Sequence, residues 1–238
     1  LKYIEAVLPS LGESGVVLSS VGQLYPGREA TKVESPRVAE LKGRSVMAGV
    51  LARAVESRQR VPAEPQPLDI NGETITLEPE LVATGIQRAR ESGKSYNQAR
   101  VVFVKTALAA LTRQLADKLR AQGNSIDDSD VAMLREDIRS AYDARVALNT
   151  AWLPLTPEKL LQDLYARPQW LASLTPDWSA GERELLRRDR SAPFTVSDIP
   201  LLDEAAELLG EVPAGNVAAR REEKLQHKRD IENAEQAI

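Results

Sequence analysis

A chain of 238 residues with 42% apolar and only 4% aromatic residues can bury a sizeable aliphatic core, as one large domain or two small ones. It has no cysteine, which excludes disulfides and thiolate metal sites and suits a reducing cytoplasm; its single histidine, His227, has no His or Cys neighbour with which to hold zinc. The net charge of −4 lacks the basic excess of a dedicated nucleic-acid binder, and no apolar run reaches the length of a membrane span.

In chain order, Tyr3, Ile4, Val7 and Leu8 read as the last turns of a short helix stopped by Pro9 and Gly12. Residues 15–20 then form a short β-branched run of the kind found in buried parallel strands, so the two together make an α/β fragment. The chain does not begin with Met and is read as a piece of something longer. A polar linker follows over 28–35. Ser35 and Pro36 open a helix expected to run to about Gln59, with Val38, Leu41, Met47, Val50, Leu51 and Ala54 on one side. Three prolines between Val61 and Pro67 make a stiff connector, and residues 68–77 form a hairpin in which Asn71-Gly72 supplies the positive φ angles of a tight turn.

A helix over 78–92 ends at Gly93, and the dominant element follows. Over 95–122, Val104, Leu108, Leu111, Leu115 and Leu119 recur at steps of three and four, with Ser95 as the expected N-cap and Gly123 as the terminator. Asp127 and Asp128 lie in the next loop, and Asp130 is expected to cap a helix over 131–150 that turns Val131, Leu134, Ile138, Ala141, Tyr142 and Leu148 inward and pairs with the central helix. Thr156-Pro157 opens another helix through Leu160, Leu161 and Leu164. Residues 182–190 read as a charged helix, 194–196 as an extended approach, and Ser197 or Asp198 as the cap of a helix ending at Gly210. Residues 213–238 read as a charged helical or flexible tail.

Two stretches imitate nucleotide-binding signatures. Gly93-Lys94-Ser95 has Arg88 where a phosphate-binding loop needs glycine, and a helix rather than a strand before it. Asp203-Glu204 resembles a magnesium-binding acid pair, but its surroundings have the pattern of an amphipathic helix, in whose first turn the acids suit the dipole. Trp152, Trp170 and Trp178 read as packing anchors, with stacking on single-stranded nucleic acid as the alternative. Arg183, Arg187 and Arg188 read as a solvated face, or else as a DNA contact. No Ser/His/Asp or Cys/His set exists for a self-contained hydrolase.

Residues 1–13, Leu-Lys-Tyr-Ile-Glu-Ala-Val-Leu-Pro-Ser-Leu-Gly-Glu, with Val16-Val17-Leu18 after them, resemble the segment that follows the phosphate-binding loop in UvrD/Rep-like superfamily 1 helicases, and more narrowly in the actinobacterial HelD-type RNA polymerase recycling ATPases. Residues 194–210, from Phe194-Thr195-Val196 through Asp203-Glu204-Ala205 to Gly210, resemble the helix before the Asp-Glu-Ala-Gln motif of the same proteins. The resemblance implies a mainly α chain: a helical insertion domain with one short β-hairpin, over 28–190, flanked by remnants of an α/β RecA-like motor domain at 1–27 and 191–212. It implies a parent that binds ATP and magnesium and hydrolyses ATP, while this stretch alone carries neither the phosphate-binding loop nor the magnesium motif and is expected to be inactive, with no cofactor of its own.

The implied partner is core RNA polymerase in the cytoplasm, met through the insertion acting as a clamp-opening wedge, with nucleic acid met through the parent and no membrane. The hairpin turn at Asn71 and Gly72 is expected to project as a contact tip; Asp127, Asp128, Trp152, Arg183, Arg187 and Arg188 complete the candidate contact set. A DNA-binding insertion of a conventional UvrD-like helicase and a non-enzymatic helical adaptor are the alternatives.

Overall fold

A computed structural model describes residues 21–25 and 29–212; the expected helix over 1–8, the strand over 15–20, His227 and the tail over 213–238 lie outside the described residues. The helix expected over 36–59 is in fact two. α1 (Pro36–Gly43) ends at Arg44, whose backbone is extended at φ −69° and ψ 137°, and α2 (Val46–Glu56) restarts beyond it. The reason is helical phase. Leu41 and Met47 are both buried, yet six residues set them about 120° apart on a continuous helix, so the break lets both reach one core.

The hairpin forms as read. β1 (Gln66–Ile70) and β2 (Glu73–Leu77) pair antiparallel with Leu68 opposite Ile75, turning through Asn71 at φ 55° and Gly72 at φ 88°. Leu68, Ile70, Ile75 and Leu77 form its buried face. Next come α3 (Pro79–Glu91) and α4 (Tyr96–Ala121), the longest helix among the described residues, with Gly93 and Gly123 in the left-handed region after each. Gly85 of α3 faces the Phe103 ring of α4, where any Cβ would press on the ring edge. Ser95 occupies the N-cap position of α4, but its hydroxyl makes no cap bond.

The hairpin does not project. It lies along α4, where Gln114 Oε1 accepts from Thr76 N at 2.9 Å and Lys118 Nζ donates to Thr74 O at 2.9 Å, and Asp69 N on the other strand donates to Asp143 Oδ2 at 3.1 Å. These outward bonds show that the Asp69–Thr74 and Pro67–Thr76 pairs face away from the ladder, so the missing N–H of Pro67 costs no ladder bond. Helix side chains thus cover both strand edges.

The helix expected over 131–150 is likewise two helices, α5 (Asp128–Ser140) and α6 (Tyr142–Ala151), broken at Ala141 (φ −57°, ψ 135°). Phase is again the cause, because Ile138 and Ala144 are both fully buried and six residues apart. Tyr142, expected inward, is 75% exposed. The N-cap of α5 is Asp127, not Asp130: Asp127 Oδ1 accepts from Ser129 N and Asp130 N, and Asp130 Oδ2 accepts from Asp127 N in return.

α7 (Pro157–Ala166) buries Leu160, Leu161 and Leu164 as expected, and α8 (Pro168–Leu174) and α9 (Ala180–Leu186) follow. The charged helix expected over 182–190 stops at Leu186, and Arg187 is extended. A 3-10 turn (Val196–Asp198) leads into α10 (Ile199–Leu209), closed by Gly210 at φ 63°.

The described residues are mainly helical, with one small antiparallel two-stranded sheet among them. The described residues divide into two compact units: those up to Ala54 with Pro157–Glu207, and Val55–Thr156 with the described residues from Leu208 on. In the first, Leu41, Met47, Val50, Leu51, Leu160, Leu164, Leu171 and Leu202 form the core; in the second, the hairpin's apolar face and α3 gather around Phe103, Leu111 and Leu115 of α4. Among the described residues no helix is long and apolar enough to cross a membrane.

Candidate functional site

The residues expected to meet a partner fall into three situations. Asn71 and Gly72 stand beside Glu73, which pairs with Lys118 in the last turn of α4 at 2.8 Å, while Asp127 and Asp128 open α5, the next helix in the chain. All four are exposed. Trp152, by contrast, is fully buried, 5.3 Å from the Tyr96 ring and stacked 5.6 Å from Phe103, and is corrected from contact residue to core. Arg100 donates to the Trp152 carbonyl at 2.6 Å and to Asn149 Oδ1 at 2.7 Å, fixing the end of α6.

The three arginines do not share a face. Arg183 donates to the carbonyls of Thr175 and Pro176 and clamps the loop after α8. Arg187 is exposed and pairs with Glu184 at 3.4 Å. Arg188, read as solvated, is drawn inward, and it leads to the feature that sequence reasoning missed.

That feature is a buried ionic junction in the first unit. Lys42 of α1 donates to both oxygens of Glu34, at 2.8 and 2.7 Å, and to Asp198 Oδ1 at 2.7 Å. Tyr165 OH of α7 donates to the same Asp198 oxygen at 2.9 Å. Asp198 Oδ2 accepts from Arg188 at 2.8 Å, from Thr195 N at 2.8 Å and from Thr195 Oγ1 at 2.9 Å. Ser197 donates its hydroxyl to Glu34, and the Lys42 ammonium and Arg188 guanidinium both lie over the Tyr165 ring, at 4.9 and 4.8 Å. Two carboxylates therefore meet two cations with a tyrosine hydroxyl between.

Burial alone would raise the Asp198 carboxyl, but the Lys42 ammonium, the Thr195 N–H and the Arg188 guanidinium hold it below the ordinary aspartate value. Glu34 behaves alike: burial raises it, and Lys42 and Ser197 lower it further than burial lifts it. The Tyr165 hydroxyl is pushed well above its usual value by burial and by the Asp198 charge, so it stays a donor. Each carboxylate is answered by cations and hydroxyls, and the junction binds segments together rather than presenting a reactive group. One signal for it was legible in the sequence: Asp198 stands three residues after Thr195, the spacing of a capping pair. The inward turn of Lys42 had none.

The junction also draws chain segments together. Val196 N donates to Lys32 O at 3.0 Å, so the segment before α1 runs beside the segment after α9.

The two imitations of nucleotide-binding signatures do not fit that chemistry. Gly93-Lys94-Ser95 joins two helices, and Asp203 and Glu204 stand within α10, beyond its first turn, which corrects their expected role as first-turn acids. Among the described residues no group of three or more His, Cys, Asp or Glu side chains is arranged to hold a metal ion. Compared with known proteins, the chain matches no protein-family model and no curated protein.

Proposed function

We propose that this chain is the insertion region of a HelD-type, RNA-polymerase-associated helicase-like ATPase, and that the insertion acts mechanically, through protein contacts, as a wedge that opens the polymerase clamp. The observation that carries the reading is the Val196 N to Lys32 O bond, with the ionic junction around it. A domain inserted into a host must leave and return at neighbouring points, and residues 32 and 196 bracket nearly the whole proposed insertion. The resemblance of residues 1–18 and 194–210 to motor-domain segments lends support, as does the helical state of Asp203-Glu204, which suits the helix before the true magnesium motif.

In this reading ATP, magnesium and the hydrolytic step belong to the parent's motor domains, and residues 28–190 supply shape and a contact surface. The exposed residues Asn71 and Gly72 of the hairpin turn and Asp127 and Asp128 at the start of α5 are the contacts favoured for the polymerase. The conventional DNA-helicase reading loses two of its candidate contacts, since Arg183 and Arg188 are engaged within the fold.

The test is capture of core RNA polymerase by the purified chain, with a parallel titration of single- and double-stranded DNA at physiological salt. Polymerase retention that weakens when residues 71–72 and 127–128 are changed together supports the proposal. Retention of DNA without polymerase moves the reading to a conventional helicase.

A further inference from the structure

An open groove of about 340 Å³ runs beside α3 in the second unit. Ala83, Ile86, Gln87 and Arg90 line it from one face of that helix, and Gln59 and Val61 of the connector after α2 complete the lining. The connector is fixed in place, because Arg60 N donates to Ala151 O at 2.8 Å. Ala83 is exposed and Val61 is 47% exposed, so the groove leaves apolar surface open to water. It also carries one charge of each sign. Arg90 Nε donates to Gln59 Oε1 at 2.6 Å and Glu91 Oε1 accepts from Gln87 at 2.9 Å, and among the described residues neither Arg90 nor Glu91 meets an opposite charge.

The chain returns to this neighbourhood at Gly210. Asn97 Nδ2 donates to Gly210 O at 2.9 Å, and a Cβ on Gly210 would overlap Ser95 Oγ. Ser95 follows Glu91 by four residues, so at most about 14 Å of chain lies between that contact and the groove. Seven residues separate Gly210 from Val217, a reach of up to about 25 Å.

We propose that residues 217–223 of this same chain occupy the groove, with Val217-Ala218-Ala219 on the apolar lining, Arg220 and Arg221 meeting Glu91, and Glu222 and Glu223 meeting Arg90. That short stretch supplies an apolar run and both of the charges the groove lacks. The tether decides the occupant. A segment held this near meets the groove at an effective concentration in the millimolar range, so a contact of little intrinsic affinity suffices, whereas a separate molecule would have to supply the affinity itself. The inference is independent of the polymerase reading and involves none of its contact residues.

The experiment uses the whole chain and compares its amide spectrum with those of Val217→Asp and Arg220→Glu/Arg221→Glu, with melting curves to verify folding. Amides of Gln59, Ala83, Gln87 and Glu91 are expected to shift in both variants, while those of Thr76 and Asp117 stay in place. Groove amides that do not move in either variant overturn the proposal. The chain has no cysteine, so a nitroxide on Lys224→Cys is a single, defined label. It is expected to broaden the groove amides within its own chain, and Val217→Asp is expected to abolish that broadening. Spin-labelled chains are also mixed with isotope-labelled, spin-free chains. Broadening of the groove amides in that mixture equal to that within one chain would assign the groove to a second copy and overturn the proposal.

Discussion

Lys42 Nζ and Asp198 Oδ1 stand 2.7 Å apart although 156 positions separate them in the chain, and both side chains are almost completely buried. An isolated ion at either position would be very costly to bury. The pair is stable because Glu34, Arg188, Tyr165 and Thr195 complete it, and the segments before α1 and after α9 are joined by charge as well as by backbone bonding.

Removing one member leaves its partners buried and unmatched. Lys42→Ala is expected to lower unfolding free energy by about 3–5 kcal/mol, read by urea denaturation. Arg187→Ala, which removes only an exposed pair, is expected to change it by less than about 0.5 kcal/mol. Equal effects would mean that the junction does not hold the unit together.

The junction also fixes an acid limit. The folded-state values of Glu34 and Asp198 lie below the ordinary 4.5 and 3.8, so the folded state binds fewer protons than the unfolded state does in that range. Their contribution is complete above the ordinary values and is lost as pH falls through the lowered ones. Stability measured against pH should therefore drop below about pH 4 to 5, and Asp198→Asn should make that acid limb shallower.

At the other extreme, the hydroxyls of Tyr96 and Tyr165 are raised, in both cases first by burial. An alkaline absorbance titration should find both silent until the protein unfolds. Because the unfolded chain ionises first, the stability they lend is present below about pH 10 and is lost as pH rises beyond it. Titration of either phenol in the folded protein, with circular dichroism unchanged, would contradict their burial.

Gly210 and Ser95 make a paired test in the second unit. Gly210 has φ 63°, and a Cβ there would overlap Ser95 Oγ, so Gly210→Ala should cost at least about 1 kcal/mol. Ser95→Ala ordinarily costs about 1 kcal/mol at an N-cap, but this hydroxyl is buried without a hydrogen-bond partner among the described residues. Thermal melts should find Ser95→Ala neutral or stabilising; a loss of cap size would mean that the hydroxyl bonds Asn97 or its neighbours after all.

The sequence by itself determined the local events: the Asn71-Gly72 turn, the long helix ending at Gly123, the proline-opened helices, and a mainly helical composition. These depend on backbone preferences and on apolar spacing within one element, which neighbouring residues carry. Only the tertiary structure decided the rest. The breaks at Arg44 and Ala141 answer a shift of phase between Leu41 and Met47 and between Ile138 and Ala144, and at the second break alanine is too weak an apolar signal to announce the shift. The same holds for the hairpin lying flat on α4, for Trp152 turning inward, and for the inward pull on Lys42 and Arg188. Each is decided by a partner from a distant part of the chain, and a charged side chain carries no mark in the sequence of whether water or a buried carboxylate will meet it.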